Sequence, residues 1–191
     1  MSKKVAIIGS GKVGKALRQG LEGTDYEVRV AARGQVAATA AWADIIVVAV
    51  PFAATTDVAR ELQESADGKP IVDVTNALTK DMQLAVGFST SGAEELQKLL
   101  PQGRVVKAFN TVFAQHMSRG SAAGQQLSAF AASDDETARK SVLELGKALG
   151  FDPVDAGPLR NARHLEAIGY FNIQLGFVLG NGADTGFKYV H

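Results

Sequence analysis

Gly9-Ser10-Gly11-Lys12-Val13-Gly14 follows the apolar run Val5–Ile8 and opens a segment in which Val13, Ala16, Leu17 and Leu21 recur on one helical face. Strand, G-x-G-x-x-G and helix in that order admit few folds, because the three glycines serve one geometry. Gly9 permits the tight turn, Gly11 lets backbone approach a pyrophosphate, and Gly14 lets the helix pack closely on the strand. Free N–H groups and the helix dipole at such a terminus attract phosphate oxygens. The competing reading is a loop that needs positive φ angles and holds no ligand; the strand-to-helix context speaks against it. The G-x-x-x-x-G-K-[ST] arrangement of a P-loop is absent.

Short apolar runs continue along the chain, most of them separated by helical stretches, the pattern of a parallel sheet wound with helices. Val28–Ala31, Ile45–Val50, Ile71–Val74, Arg104–Phe109, Leu127–Ala131 and Asp152–Asp155 read as further strands. The β-branched run Ile45–Val50 suits a strand buried on both faces. Residues 33–43 are short for a crossover helix. Helices are predicted from a cap at Thr55 or Thr56 to about Ser65, over Glu94–Leu100, and from a cap at Ser133 or Asp134 through Leu149, closed by Gly150. The Gly/Ser/Gln-rich stretch 115–126 reads as a mobile loop with one turn of helix. Beyond Gly157-Pro158, the spacing of Leu165, Ile168, Phe171, Leu175 and Val178 places them on one helix face. The predicted class is α/β, a Rossmann-type doubly wound, mostly parallel sheet with a short C-terminal helical appendage. Residues 1–155 are assigned to the dinucleotide-binding domain, and 156–191 to a helical extension packed on it.

The end of the second strand bears on cofactor choice. An NAD site places a carboxylate there to hold the ribose 2′-hydroxyl. This chain has Val30-Ala31-Ala32-Arg33-Gly34 instead. No carboxylate repels a 2′-phosphate, and the Arg33 guanidinium offers a fork of donors for one, so NADP(H) is favoured. A solvated loop arginine is the plain alternative for Arg33. Ligands of open parallel sheets bind at the carboxyl ends of strands. Val50-Pro51-Phe52 is therefore placed beside the adenosine–ribose side. Asn76 and the segment Ala108-Phe109-Asn110-Thr111 offer small polar groups for a carboxamide or phosphate. Asn76 and Asn110 as turn residues, and Phe52 and Phe109 as core, remain open readings.

The 191 residues carry 20 Lys+Arg and 20 Asp+Glu, and the resulting zero net charge gives no electrostatic footprint for nucleic acid or an anionic membrane. The absence of cysteine removes disulfides, thiolate metal sites and a thiol nucleophile. His116, His164 and His191 lie far apart, so no metal site is expected; His116 reads as a solvated loop residue and His164 with Glu166 as a helix-surface pair. The apolar run 5–8 is too short for a signal peptide, and 45–54 is too short to span a bilayer. A soluble, cytoplasmic protein is expected.

The glycine loop, Ala32-Arg33, Asp73-Val74-Thr75-Asn76, Val105-Val106-Lys107-Ala108-Phe109-Asn110-Thr111 and Asp155-Ala156-Gly157-Pro158-Leu159 together resemble the NADPH:coenzyme F-420 (F420) oxidoreductase family. The same blocks are similar to the NADPH-binding domain of the STEAP metalloreductases. The resemblance implies hydride transfer between NADP(H) and a deazaflavin (F420) or a flavin (FMN or FAD) stacked on the nicotinamide, with no catalytic acid–base residue. It implies that Ser10, Gly11, Lys12 and Val13 hold the pyrophosphate, Ala32 and Arg33 surround the 2′-phosphate, and Pro51 and Phe52 lie beside the dinucleotide. Asn76, Phe109, Asn110 and Thr111 would flank the nicotinamide and its redox partner. Three positions depart from the F420 enzymes. Ala32 replaces a serine, Gln35-Val36-Ala37-Ala38 lacks a basic residue, and Asn110-Thr111 stands where they have His-Thr, closer to the metalloreductases.

The alternatives are a soluble NADPH-dependent flavin or ferric reductase, and a redox sensor that binds NADP(H) without turnover. An imine or pyrroline-carboxylate reductase would need a large helical domain, for which residues 156–191 are too few. The helix face carrying Phe171, with Phe177 beyond it, is a candidate homodimer contact.

Overall fold

The computed structural model describes residues 2–32 and 34–190. In chain order the elements are β1 (Lys3–Ile8), α1 (Lys12–Gly20), β2 (Tyr26–Val30), α2 (Val36–Trp42), β3 (Ile45–Val48), α3 (Thr55–Leu62), β4 (Pro70–Asp73), α4 (Gly92–Leu99) and β5 (Arg104–Ala108). Then follow β6 (Ser121–Ala122), β7 (Gln125–Gln126), β8 (Ser128–Ala132), α5 (Glu136–Ala148), β9 (Asp152–Asp155) and α6 (Ala162–Ile173), which runs on into a π-helical turn, Gln174–Val178. Seven strands form one sheet in the order β2-β1-β3-β4-β5-β8-β9. All neighbours are parallel except β5 and β8. The chain reverses direction across the sheet between β1 and β3, which opens a crevice at their carboxyl ends.

Side chains alternate along β1 between two cores. Val5 and Ile7 pack with Leu17 and Leu21 of α1 and Val142 and Leu145 of α5. Ala6 and Ile8 pack with Val36, Leu62 and Leu96 of the helices on the other face. Both faces are covered, so β1 and β3 read as unbroken apolar runs rather than alternating ones. This is the doubly wound sheet expected from the sequence.

The differences are local. Residues 33–43 do contain a crossover helix, α2, of seven residues. Asp135, not Ser133 or Asp134, caps α5, accepting from the Ala138 N–H at 2.7 Å. The Thr55 side chain does not cap α3; its hydroxyl donates to the Phe52 carbonyl at 2.7 Å. The stretch 115–126 holds a 3₁₀ turn (Ala114–His116) and the β6–β7 hairpin. His116 in that turn is fully buried, its Nε2 2.9 Å from the Ala183 carbonyl oxygen and 3.4 Å from the Asp184 carboxylate. It therefore anchors the C-terminal segment rather than standing in solvent.

The apolar spacing of 165–178 also misleads. The buried positions of α6 are Ala162, Leu165, Glu166, Gly169 and Asn172, whereas Phe171 is 54% exposed. Helix α6 lies near the carboxyl ends of β4 and β5, where loop backbone and polar side chains must be satisfied, so its inward stripe is small and polar.

Candidate dinucleotide site and the cavity beside it

The glycine loop meets its structural conditions. Gly9 has φ +125°, and a Cβ there would sit 2.2 Å from the Ala49 carbonyl oxygen, at the turn after β3. A Cβ on Gly14 would sit 2.1 Å from the Gly9 oxygen. Gly11 is different. Nothing lies within 4 Å of its missing Cβ. It caps α1 without a side-chain bond, and no acidic residue occupies the first turn. The first N–H groups of α1 thus face open space at the positive end of the helix dipole, the arrangement that binds a pyrophosphate. Ser10 and Lys12 are exposed beside it, and Val13 is half-buried.

At the edge of the crevice, β2 ends in half-buried Ala31 and exposed Ala32, and α2 begins without an acid in its first turn. Arg33 lies outside the described residues. Beyond β3, Val50 is half-buried, Pro51 exposed, and Phe52 half-buried, its ring edge 3.0 Å from where a Cβ on Gly92 would stand.

A cavity of about 650 Å³ opens between α1, the ends of β4 and β5, and α6. Lys12, Val13, Asn76 and Asn110 of the sequence-named residues line it. The two asparagines are bonded to each other: Asn110 Nδ2 donates to Asn76 Oδ1 at 3.1 Å and to the Leu165 carbonyl at 2.8 Å, and Asn76 Nδ2 donates to the Asn110 carbonyl at 3.2 Å. Asn110 Oδ1 and Thr75 Oγ1 are buried with no hydrogen-bond partner. Unpaired buried acceptors are rare in proteins, and of these two Asn110 Oδ1 belongs to a residue that lines the cavity. A dinucleotide fits this set: an open helix terminus for the pyrophosphate and spare polar capacity at the far end. Phe109 does not belong to the cavity. Its φ is +63°, and its ring is 2% exposed in the core, 5.9 Å from the Phe151 ring. Ala108 and Thr111 are buried too, and Thr111 contributes its carbonyl to Asn172 Nδ2 at 3.1 Å.

The sequence reading gave no role to the group beneath the asparagines. Lys107 is fully buried on β5, in register with Asp73 on β4. Its Nζ lies 3.0 Å from Asp73 Oδ2, 2.9 Å from Glu166 Oε1 and 2.6 Å from the Thr75 carbonyl. Burial pulls the ammonium down, but Asp73 and Glu166 outweigh it and hold Lys107 above its ordinary 10.5. The Glu166 carboxylate also accepts the Gly92 and Ala93 N–H groups, at 2.9 and 3.2 Å. It thereby caps α4 with charge of the sign its dipole favours. Glu166 is thus a buried strut, not the surface partner of His164. The signal was present: a lysine inside an apolar strand must find a carboxylate, and Asp73 ends the neighbouring strand.

The model of the family described as NADP oxidoreductase, coenzyme F420-dependent, matches residues 30–77. A solved structure from Arthrobacter sp. FB24, provisionally assigned as an F420-dependent NADP-reductase, superposes with a TM-score of 0.91 at 28% identity over 99% of this chain and 100% of that one. The family resemblance is confirmed. The F420-dependent NADP reductase of Methanocaldococcus jannaschii is 27% identical over 65% of this chain and 58% of its own length. Metalloreductase STEAP3 of Rattus norvegicus is 31% identical over 86% of this chain. The chain spans about a third of the length of the metalloreductases it matches, 36% for that one. Among the described residues no helix is long and apolar enough to cross a membrane, and no cluster of His, Cys, Asp or Glu could hold a metal ion.

Proposed function

We propose that the chain transfers hydride between NADP(H) and a deazaflavin (F420) or flavin, in the cavity between α1 and α6. The coarser statement, an NADP-dependent oxidoreductase of Rossmann type, is what the family match and the fold support. The observation that carries the finer one is the joining of an open, uncapped helix terminus to a cavity of about 650 Å³ that Asn76 and Asn110 also line. In this reading residues 1–155 bind the dinucleotide and 156–191 close the site.

Bound NADPH supplies the hydride from nicotinamide C4; the protein's part is orientation and exclusion of water. Gly9, Ser10, Gly11, Lys12, Val13 and Gly14 present the open terminus to the pyrophosphate. Ala32 and Arg33 leave room and charge for the 2′-phosphate, and Val50, Pro51 and Phe52 border the adenosine side. Asn76 and Asn110 fix the carboxamide. No side chain moves a proton.

NADPH oxidation by the purified protein with F420, FMN and FAD offered separately, and NADH as control, tests this. Turnover with at least one acceptor and preference for NADPH is expected. Tight NADPH binding without reduction of any acceptor overturns the reading and leaves a sensor. Arg33→Asp should shift preference toward NADH; unchanged affinities for both dinucleotides would mean that the 2′-phosphate is held elsewhere. We also propose a cytoplasmic homodimer joined through the face around Phe171 and Phe177, which are 54% and 63% exposed.

A further inference from the structure

We propose that the wall of the cavity along α1, centred on Lys15, is a subsite for the phosphate-bearing tail of the hydride acceptor. The site then takes phosphorylated flavin-type rings and discriminates against neutral ones. This rests on the reading of the cavity as a hydride-transfer site and names which acceptors it admits.

Lys12, Lys15, Ala16 and Gln19 of α1 all line the cavity. From residue 12 to residue 19 the helix rises roughly 10 Å. The helix terminus assigned to the pyrophosphate lies at one end of that span, and Asn76 and Asn110, assigned to the carboxamide, line the same cavity. The remainder, out to Gln19 and Ser118, is unclaimed by a dinucleotide. Its apolar side is aromatic: Phe113 and Phe177 stand with ring centroids 5.1 Å apart, beside Ile173, a surface suited to a flat heterocycle.

The charge is one-sided. Two lysines and no carboxylate line the cavity. Lys15 is exposed and forms no ion pair among the described residues, whereas Arg18, on the same helix, faces Glu22 at 3.8 Å. An unpaired ammonium on a partly apolar wall attracts an anion without first losing a protein partner. Lys12, at the helix terminus, belongs to the pyrophosphate; Lys15, one turn on, is free for a second anion. The neutral donors Gln19 and Ser118 beside it suit the polyol that joins a flavin ring to its phosphate.

FMN and riboflavin differ by one phosphate, and F420 and the same deazaflavin without its phosphate-linked tail form a second pair. The protein saturated with NADP⁺ is titrated with each by acceptor fluorescence. The phosphorylated member of at least one pair should bind about tenfold more tightly, a charge-assisted contact of ordinary strength. Lys15→Gln should bring that ratio close to one and leave riboflavin and NADPH binding unchanged. Equal affinities within both pairs, binding of no acceptor, or a ratio that survives both Lys15→Gln and Lys15→Glu overturns the subsite. NADPH oxidation with the same acceptors separates the two claims. Discrimination in binding without turnover removes the hydride-transfer reading and keeps the anion site; turnover without discrimination does the reverse.

Discussion

Gly9 and Gly11 stand two residues apart, and a methyl group harms them for opposite reasons. At Gly9 it meets the Ala49 carbonyl at 2.2 Å in a conformation, φ +125°, that side chains rarely adopt. Gly9→Ala should lower the melting temperature, by a loss of about 2–4 kcal/mol from strain and displaced backbone. At Gly11 the methyl enters empty space. Gly11→Ala should melt like the parent protein and bind NADPH about tenfold more weakly, because the methyl occupies the pyrophosphate's approach. Thermal melts beside NADPH titrations distinguish these outcomes. Lys107 is the other residue with a sharp prediction. Lys107→Met leaves Asp73 and Glu166 buried without their cation and should cost about 3–5 kcal/mol. Since folding raises the Lys107 value above 10.5, its contribution is complete below that pH and is lost as pH rises through the folded value. Melts from pH 8 to 12 should show that alkaline loss in the parent and a flatter profile in Lys107→Met.

Helix α6 is held to the rest of the fold largely by polar and small groups. The Arg163 guanidinium grips the Glu94 carboxylate of α4 with two bonds, of 2.9 and 2.6 Å. Gly169 sits where a Cβ would meet Asn76 Oδ1 at 2.5 Å and Asn110 Nδ2 at 2.7 Å. Gly169→Ala should therefore push α6 off the asparagine pair, costing about 1–3 kcal/mol and weakening NADPH binding. The hydrogen bond from Arg163 holds the Glu94 carboxyl below its ordinary 4.5, helped by Ser91 and against a burial penalty. A depressed folded value means that the stabilisation is present above pH 4.5 and lost as pH falls through that folded value. Protection of the α6 amides against hydrogen exchange, taken relative to the intrinsic rate at each pH, should fall as the pH drops through the folded Glu94 value, more than in α5, and Arg163→Ala should remove the difference. The apolar spacing of residues 165–178 pointed to a greasy inward face. The helix turns Glu166, Gly169 and Asn172 inward because what lies beneath it is an ammonium, two carboxamides and a loop carbonyl rather than sheet side chains.

At the scale of the molecule, Phe171, Phe177, Val178 and Leu179 form an exposed apolar strip beside the cavity, each more than half exposed. Light scattering should return twice the 20.0 kDa chain mass, and Phe171→Glu with Phe177→Glu should halve it. The fold itself was written in local patterns. Val5–Ile8, the glycine loop and the amphipathic helix behind it specify one βα unit, and the later apolar runs repeat the strand signal, so a wound parallel sheet follows from periodicity alone. The open terminus of α1 was legible for the same reason, since its residues are contiguous. Lys107, Asp73 and Glu166 are not: they come from β5, β4 and α6, and only strand register and helix placement bring them within 3 Å. Sequence likewise left Phe109 open between site and core, because the side to which a ring turns depends on a φ of +63°. The chain's own order determined the sheet and the glycine loop, because both are built from neighbours. Tertiary structure decided the cavity, its one-sided charge and the buried ion network, because each is assembled from segments that meet only after the sheet has formed.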